Sequence, residues 1–259
     1  MFRFASLGSG SRGNATLIQA GDQLVCIDNG YAVKELVARA EKCSIDLSKL
    51  TAICVTHEHG DHARGVGVLA RKFDVPVYMT HGTYQGADYG KLDQVTLFYP
   101  HDGAVQLGEL SVDPVTVPHD AREPTQYVFE YQGKRLGILT DLGCPTPHVI
   151  ERYKNLDAFL LECNHDPQML REGPYPPSLQ ARVGGDYGHL RNQQAGEILS
   201  RVIHDGLQFV VAAHLSEKNN VPELAEQALR AVVPDLGDRL RILKQDEPSI
   251  WFEIHWDFA

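Results

Sequence analysis

Three imidazoles and two carboxylates fall within six consecutive residues, His57-Glu58-His59-Gly60-Asp61-His62. Imidazole nitrogen and carboxylate oxygen together suit divalent first-row metals, and no packing reason puts so many polar groups directly behind the apolar run 51–56. A short loop spreads its side chains, so these three histidines do not comfortably serve one ion. They suit two adjacent ions, with His57 and His59 on one and Asp61 and His62 on the other. Three single residues behind other apolar runs are candidates to complete the shells: His119 after 110–117, Asp141 after 136–140, where a carboxylate is able to bridge both ions, and His214 after 209–213. Strand-end position alone leaves each of these three open between metal ligand and ordinary polar residue. A pair of ions so held lowers the pKa of bound water and provides a nucleophile near pH 7, which is the chemistry of hydrolysis.

The elements that must position these groups are legible as short apolar runs rich in β-branched residues, at 2–7, 15–20, 24–27, 52–55, 75–79, 110–117, 127–131, 136–139, 158–161, 209–213 and 250–254. Helical spacing appears between some of them: Val33, Leu36, Val37 and Ala40 share a face, as do Ile198, Val202 and Ile203, and Leu224, Ala228 and Leu229. With 259 residues, 43 % of them hydrophobic and 22 % charged, the chain reads as a single layered α/β domain over 1–259. Repeats and low-complexity tracts are absent. The stretch 173–185, rich in Gly and Pro, reads as an extended loop at the rim of the site.

Net charge of −10 gives no long-range attraction to nucleic acid, so any phosphate site must be local and any affinity for long nucleic acid weak and salt-dependent. The N-terminus carries no secretory apolar region and the chain no stretch of about 20 apolar residues, so a soluble cytoplasmic protein without a membrane partner is expected. The five cysteines form no C-x-x-C pair and read as small core hydrophobes. His81, His101, His148, His204 and His255 read as ordinary surface or packed histidines.

The ordered set of an early strand-end Asp (Asp28), H-x-H-x-D-H (His57 to His62), a later His (His119), an Asp (Asp141) and a final His (His214) resembles the metallo-β-lactamase superfamily. That resemblance implies an αββα four-layer sandwich with a dinuclear centre at one edge of two facing sheets. It assigns His57, His59, Asp61, His62, His119, Asp141 and His214 as ligands of two divalent ions, Zn²⁺ or Mn²⁺ with Fe²⁺ also suitable, and Asp28 as the residue that orients the histidine loop. His62 points away from the β-lactamase branch, and His59 away from the flavodiiron branch, which typically has Glu there. Thioester hydrolases keep the same loop.

Two further segments, Ser6-Leu-Gly-Ser-Gly-Ser-Arg-Gly-Asn14 and Gly188-His189-Leu190 with 214–220, resemble the YycJ/WalJ group of that superfamily, which is similar to DNA 5′→3′ exonucleases. The similarity runs essentially end to end. Arg12, Cys163 and Arg191 stand where that group usually has Ser or another small residue. The resemblance implies a metal-dependent phosphodiester hydrolase working through a hydroxide shared by two ions. Asp61 or Asp141 takes a proton from water and His189 acts as general acid. The loop 9–14 reads either as a phosphate cradle using Ser9, Ser11, Arg12 and Asn14 or as a tight hairpin. His165 reads as a substrate contact or as part of a helix start capped by Asp166-Pro167, and Asn219 is a further contact of the same standing. DNA is the favoured substrate; a cyclic phosphate or nucleotide is the small-molecule alternative, and a metal-bound regulatory module the non-enzymatic one.

Overall fold

The computed structural model describes residues 1–256, so positions 257–259 of the expected span lie outside the described residues. Among the described residues fourteen strands form two seven-stranded sheets. The first contains β1 (Phe2–Gly8), β2 (Ala15–Ala20), β3 (Gln23–Ile27), β4 (Ala52–Cys54), β5 (Val77–Thr80) and β6 (Val95–Phe98). The second contains β7 (Val105–Leu107), β8 (Leu110–Thr116), β9 (Thr125–Tyr131), β10 (Lys134–Leu139), β11 (Ala158–Glu162), β12 (Phe209–Ala213) and β13 (Leu240–Ile242). The last strand, β14 (Phe252–Ile254), returns to the first sheet beside β1.

The sheet orders are β14-β1-β2-β3-β4-β5-β6 and β7-β8-β9-β10-β11-β12-β13. In each, three antiparallel pairings lead into three parallel ones. The two sheets thus repeat one pairing pattern, the first completed by the last strand of the chain, although the sequence shows no repeat.

Alternation along the strands builds the layers. Phe2, Phe4, Ile18, Val25 and Ile27 of the first sheet meet Val112, Phe129, Ile138, Leu160 and Val211 of the second in one buried cluster. The alternate residues face helices. Ala5, Leu7 and Ile53 pack under Leu36 and Leu69 of the helices Val33–Lys42 and Val66–Phe73. Phe159, Leu161 and Val210 pack under Val149, Ile198 and Leu229 of Pro147–Arg152, Asn192–Val202 and Pro222–Val232. Because both faces of the central strands are covered, those strands read as continuous apolar runs. The result is the αββα sandwich that the family resemblance implies.

The expected loop at 173–185 is partly ordered into the helix Pro177–Val183, since Pro177 supplies a fixed φ at the first helical position where its missing N–H costs nothing. Among the described residues no helix is long and apolar enough to cross a membrane.

Candidate metal centre

The carboxyl ends of the parallel strands in both sheets open on one edge, and the chemistry-bearing residues leave the sheets there. Asp28 follows β3, the histidine loop follows β4, Asp141 follows β10, Glu162 ends β11 and His214 follows β12, while His119 arrives from antiparallel β8. Asp28, Asp141 and His214 each take left-handed backbone conformation, with φ of 59, 53 and 53°. Non-glycine residues adopt this region only where the surroundings impose it, so the backbone turns sharply at three of these strand exits and aims the side chains along the sheet edge.

The donors fall into two adjoining groups. On one side His57 Nε2 lies 3.1 Å from His59 Nδ1, which lies 3.3 Å from His119 Nε2. On the other, His62 Nε2 lies 3.6 Å from Asp61 Oδ2, and His214 Nε2 4.0 Å from that same oxygen. Asp141 joins the second group, its Oδ2 standing 3.3 Å from His62 Nε2 and 3.1 Å from His214 Nδ1, and reaches the first through a cluster with His57 and His62. The ligand atoms of His57, His59 and His119 lie within 4.8 Å of one another, as do those of Asp61, His62 and His214 and those of His57, His62 and Asp141.

Hydrogen bonds behind the site fix which ring nitrogen faces it. His119 Nδ1–H donates to the Gly188 carbonyl at 3.0 Å. His62 Nδ1–H donates to Asp28 Oδ2 at 2.8 Å, so Asp28 does orient the loop. The Thr56 hydroxyl also donates to Asp28 Oδ2, at 2.8 Å, and therefore accepts from His57 Nδ1–H at 2.9 Å. The Nε2 lone pairs of His57 and His119 consequently both face His59 Nδ1, which carries one proton at most. No proton arrangement satisfies all three nitrogens, whereas a cation does.

The electrostatics fit the same group. Burial holds the His57 imidazole well below its ordinary value, and the charge on His62 adds to this. Burial works against charge on His62, but Asp141, Asp61 and Asp28 keep its proton on well above the ordinary value. Burial likewise opposes charge on Asp141, and His214 with His62 outweighs it, holding the carboxyl well below the usual range. A concentration of carboxylates that calls for positive charge, beside neutral imidazoles, suits divalent ions.

Glu162 is the residue of consequence that sequence reasoning left without a role. It is fully buried; Oε1 accepts from His189 Nδ1–H at 2.8 Å and from the Asp141 N–H at 3.1 Å, and Oε2 accepts from the Leu190 N–H at 2.9 Å. Burial disfavours charge on His189, but Glu162 and then Asp141 raise its pKa to about 9. The available signal was an acid closing an otherwise apolar run. Asp120 was also passed over: its Oδ1 lies 3.6 Å from His119 Nε2, and its carboxylate accepts from Arg182 Nε.

The cleft over the donors has a volume of about 380 Å³, and His59, Asp61, Asp141, His189 and His214 line it. Of the expected substrate contacts, Ser11 alone does so. Ser9 is buried and its Oγ accepts from the His214 N–H at 2.8 Å. Asn14 is buried, with Nδ2 3.0 Å from His62 Nε2 and Oδ1 accepting from the Gly10 N–H at 2.8 Å. Arg12 turns outward onto Glu217 and Asp246.

Of the two readings of the loop 9–14, these contacts favour the tight hairpin, one that braces the ligands. Four of its N–H groups are already spent, Gly10 on Asn14 at 2.8 Å, Arg12 on Gln245 at 2.9 Å, Gly13 on Gly10 at 3.0 Å and Asn14 on Asp61 at 2.8 Å. His165 and Asn219 are buried outside the cleft lining, and burial lowers the His165 pKa to about 4. Asp166 caps the helix Pro167–Glu172 by accepting from Gln168 and Met169 N–H, both at 2.9 Å, which is the helix-start reading of that segment.

A sequence profile described as "Beta-lactamase superfamily domain" matches residues 25–215. The chain is 35 % identical over 238 residues to the exodeoxyribonuclease YycJ of Bacillus anthracis, across 90 % of each chain. It is 32 % identical over 243 residues to the exodeoxyribonuclease WalJ of Streptococcus pneumoniae, across 91 % of this chain and 90 % of the other. Among solved structures, the metallo-β-lactamase-fold protein YhfI of Bacillus subtilis has a TM-score of 0.74 at 17 % identity, over 96 % of this chain and 98 % of that one, a likeness of fold.

Proposed function

The chain belongs to the beta-lactamase superfamily, in its YycJ/WalJ-like group, and from that membership we propose that it removes nucleotides from the 5′ end of DNA. It is a metal-dependent hydrolase of the nuclease and phosphodiesterase class. The observation that carries the finer reading is the meeting of two donor groups, His57/His59/His119 and Asp61/His62/His214, on the one carboxylate of Asp141.

We assign one divalent ion to each group, with Asp141 between them and Zn²⁺ or Mn²⁺ as the occupants, Fe²⁺ being compatible with the same donors. A pair of such ions supplies an activated water and offsets negative charge on the phosphate. Asp61, partly exposed at the cleft, accepts the proton from water at its carboxylate. His189 has Nδ1 committed to Glu162, which leaves Nε2 to hand a proton to the departing oxygen. Ser9, Asn14, Asp28 and Thr56 keep the donors in register. A cytoplasmic location is part of the proposal.

A small cyclic phosphate or nucleotide is the second reading, favoured by the size of the cleft and by the scarcity of cations along it. The family relationship sets aside the non-catalytic module. The test is a panel of 5′- and 3′-labelled single- and double-stranded DNA, RNA and a cyclic nucleotide, each with Mn²⁺, Zn²⁺ or chelator. Release of the 5′ label first, as a small product dependent on metal, is the expected result. Release from the 3′ end first sinks the polarity, and turnover of the cyclic nucleotide alone selects the second reading.

A further inference from the structure

The cleft carries a recognition group that the hydrolytic residues leave unused. Asp61, Asp120 and Asp141 line it, and Arg182 is the sole lysine or arginine among its lining residues. Arg182 stands in the helix Pro177–Val183 and donates through Nε to Asp120. Its Nη1 and Nη2 make no hydrogen bond among the described residues, and the side chain is 59 % exposed. Asp120 thus pins the guanidinium by one corner. The outer edge, with two parallel N–H donors, is left for an anion, which is the arrangement that takes phosphate in bidentate fashion.

Tyr175, in the stretch 173–188 that leads into and out of this helix, lines the same cleft half-buried and offers an aromatic ring for a base to stack on. The excursion is fastened to the catalytic end by backbone. Tyr187 O accepts from the Asp120 N–H at 2.9 Å, Gly188 O from His119 Nδ1–H at 3.0 Å, and Val183 O from the His189 N–H at 2.8 Å. A phosphate or base held there is therefore in fixed register with the ligands. The opposite lip, residues 9–14, has four of its N–H groups spent on other residues and its arginine turned away.

We infer that the excursion 173–188 is the lip that reads the nucleic acid, Arg182 taking a non-scissile phosphate of a single strand and Tyr175 stacking on an adjacent base. This rests on the phosphodiesterase reading above.

The test uses the metal-loaded protein and a fluorescent, hydrolysis-resistant phosphorothioate single strand, with Kd followed by anisotropy as a function of salt. Arg182→Gln is expected to weaken binding on the order of tenfold and to flatten the slope of log Kd against log salt by about 0.7, the share of one phosphate on a single strand. Arg182→Lys restores the slope. Tyr175→Ala weakens binding roughly tenfold with the slope unchanged, and Tyr175→Phe binds as the parent does. Metal content stays constant in all four. Wild-type binding by Arg182→Gln and Tyr175→Ala overturns the inference, and so does loss of an ion from Arg182→Gln, which would show that the residue acts through Asp120 on the ligands. Failure of the parent protein to cleave any labelled substrate would sink the phosphodiesterase reading instead, while the binding series still decides the lip.

Discussion

Glu162 Oε1 and His189 Nδ1 lie 2.8 Å apart, the carboxylate wholly buried and the imidazole at the cleft. One side chain therefore fixes both the orientation of the ring and its proton. In chelator-treated protein, His189 should titrate at about 9 by NMR, its charge being held by Glu162 against the effect of burial. Glu162→Gln removes the nearest negative charge, so the titration should move downward, towards the ordinary histidine value of about 6.5. A value that stays put in the variant would show that Glu162 does not hold the proton.

Loss of a donor and loss of the proton carrier separate cleanly. His59→Ala is expected to lose metal and turnover together, because His59 Nδ1 is the atom on which His57 and His119 converge. His189→Ala should keep its ions and lose turnover by roughly 10²–10⁴-fold, the usual contribution of a general acid. Elemental analysis beside a rate measurement checks both, and a metal-free His189→Ala protein would refute the division of roles.

Chelation should lower thermal stability as well as abolish turnover. Ions at about 100 times their dissociation constant stabilise the native state by about 2.7 kcal/mol per independent site. For a chain of this size that corresponds to a fall in Tm of roughly 5–10 °C. Calorimetry with chelator, and again after adding Mn²⁺ or Zn²⁺ back, measures it; an unchanged Tm would mean that the folded state holds no ion tightly.

Gly30→Ala replaces no ligand yet should disturb the centre. A Cβ at Gly30 collides with the backbone carbonyl of Asp61, in the middle of the histidine loop. The loop must move or the main chain at Gly30 must, so metal affinity should drop and stability fall by about 1–3 kcal/mol, the usual cost of overpacking. Metal titration and denaturant unfolding report the two effects, and a variant that binds metal as the parent does would show that the loop yields there.

Much of this was legible because the informative residues are either contiguous or at strand ends. The histidine loop needs no tertiary information to be noticed, and His119, Asp141 and His214 each close an apolar run that does form a strand. The strands that escaped notice, β6, β7 and β13, all lie at sheet edges. Edge strands bury less, and these are only four, three and three residues long, too short for their alternation to stand out in the sequence.

The loop 9–14 was legible as a feature but open as to function. Glycine and serine composition shows that N–H groups are free to converge but not that Asn14, Gln245 and Asp61 each take one of them. Glu162 carried a weak signal for the opposite reason, since its partners His189, Asp141 and Leu190 come from other parts of the chain and meet only after the second sheet forms.

The donors are divided between the sheets: His57, His59, Asp61 and His62 leave the first, while His119, Asp141 and His214 leave the second. Neither half of the chain owns a finished coordination shell. An ion gripped from both sides would act as a stitch across the seam, its full set of donors existing only once the two sheets have docked. Tight metal binding during refolding would then report that the sandwich has closed.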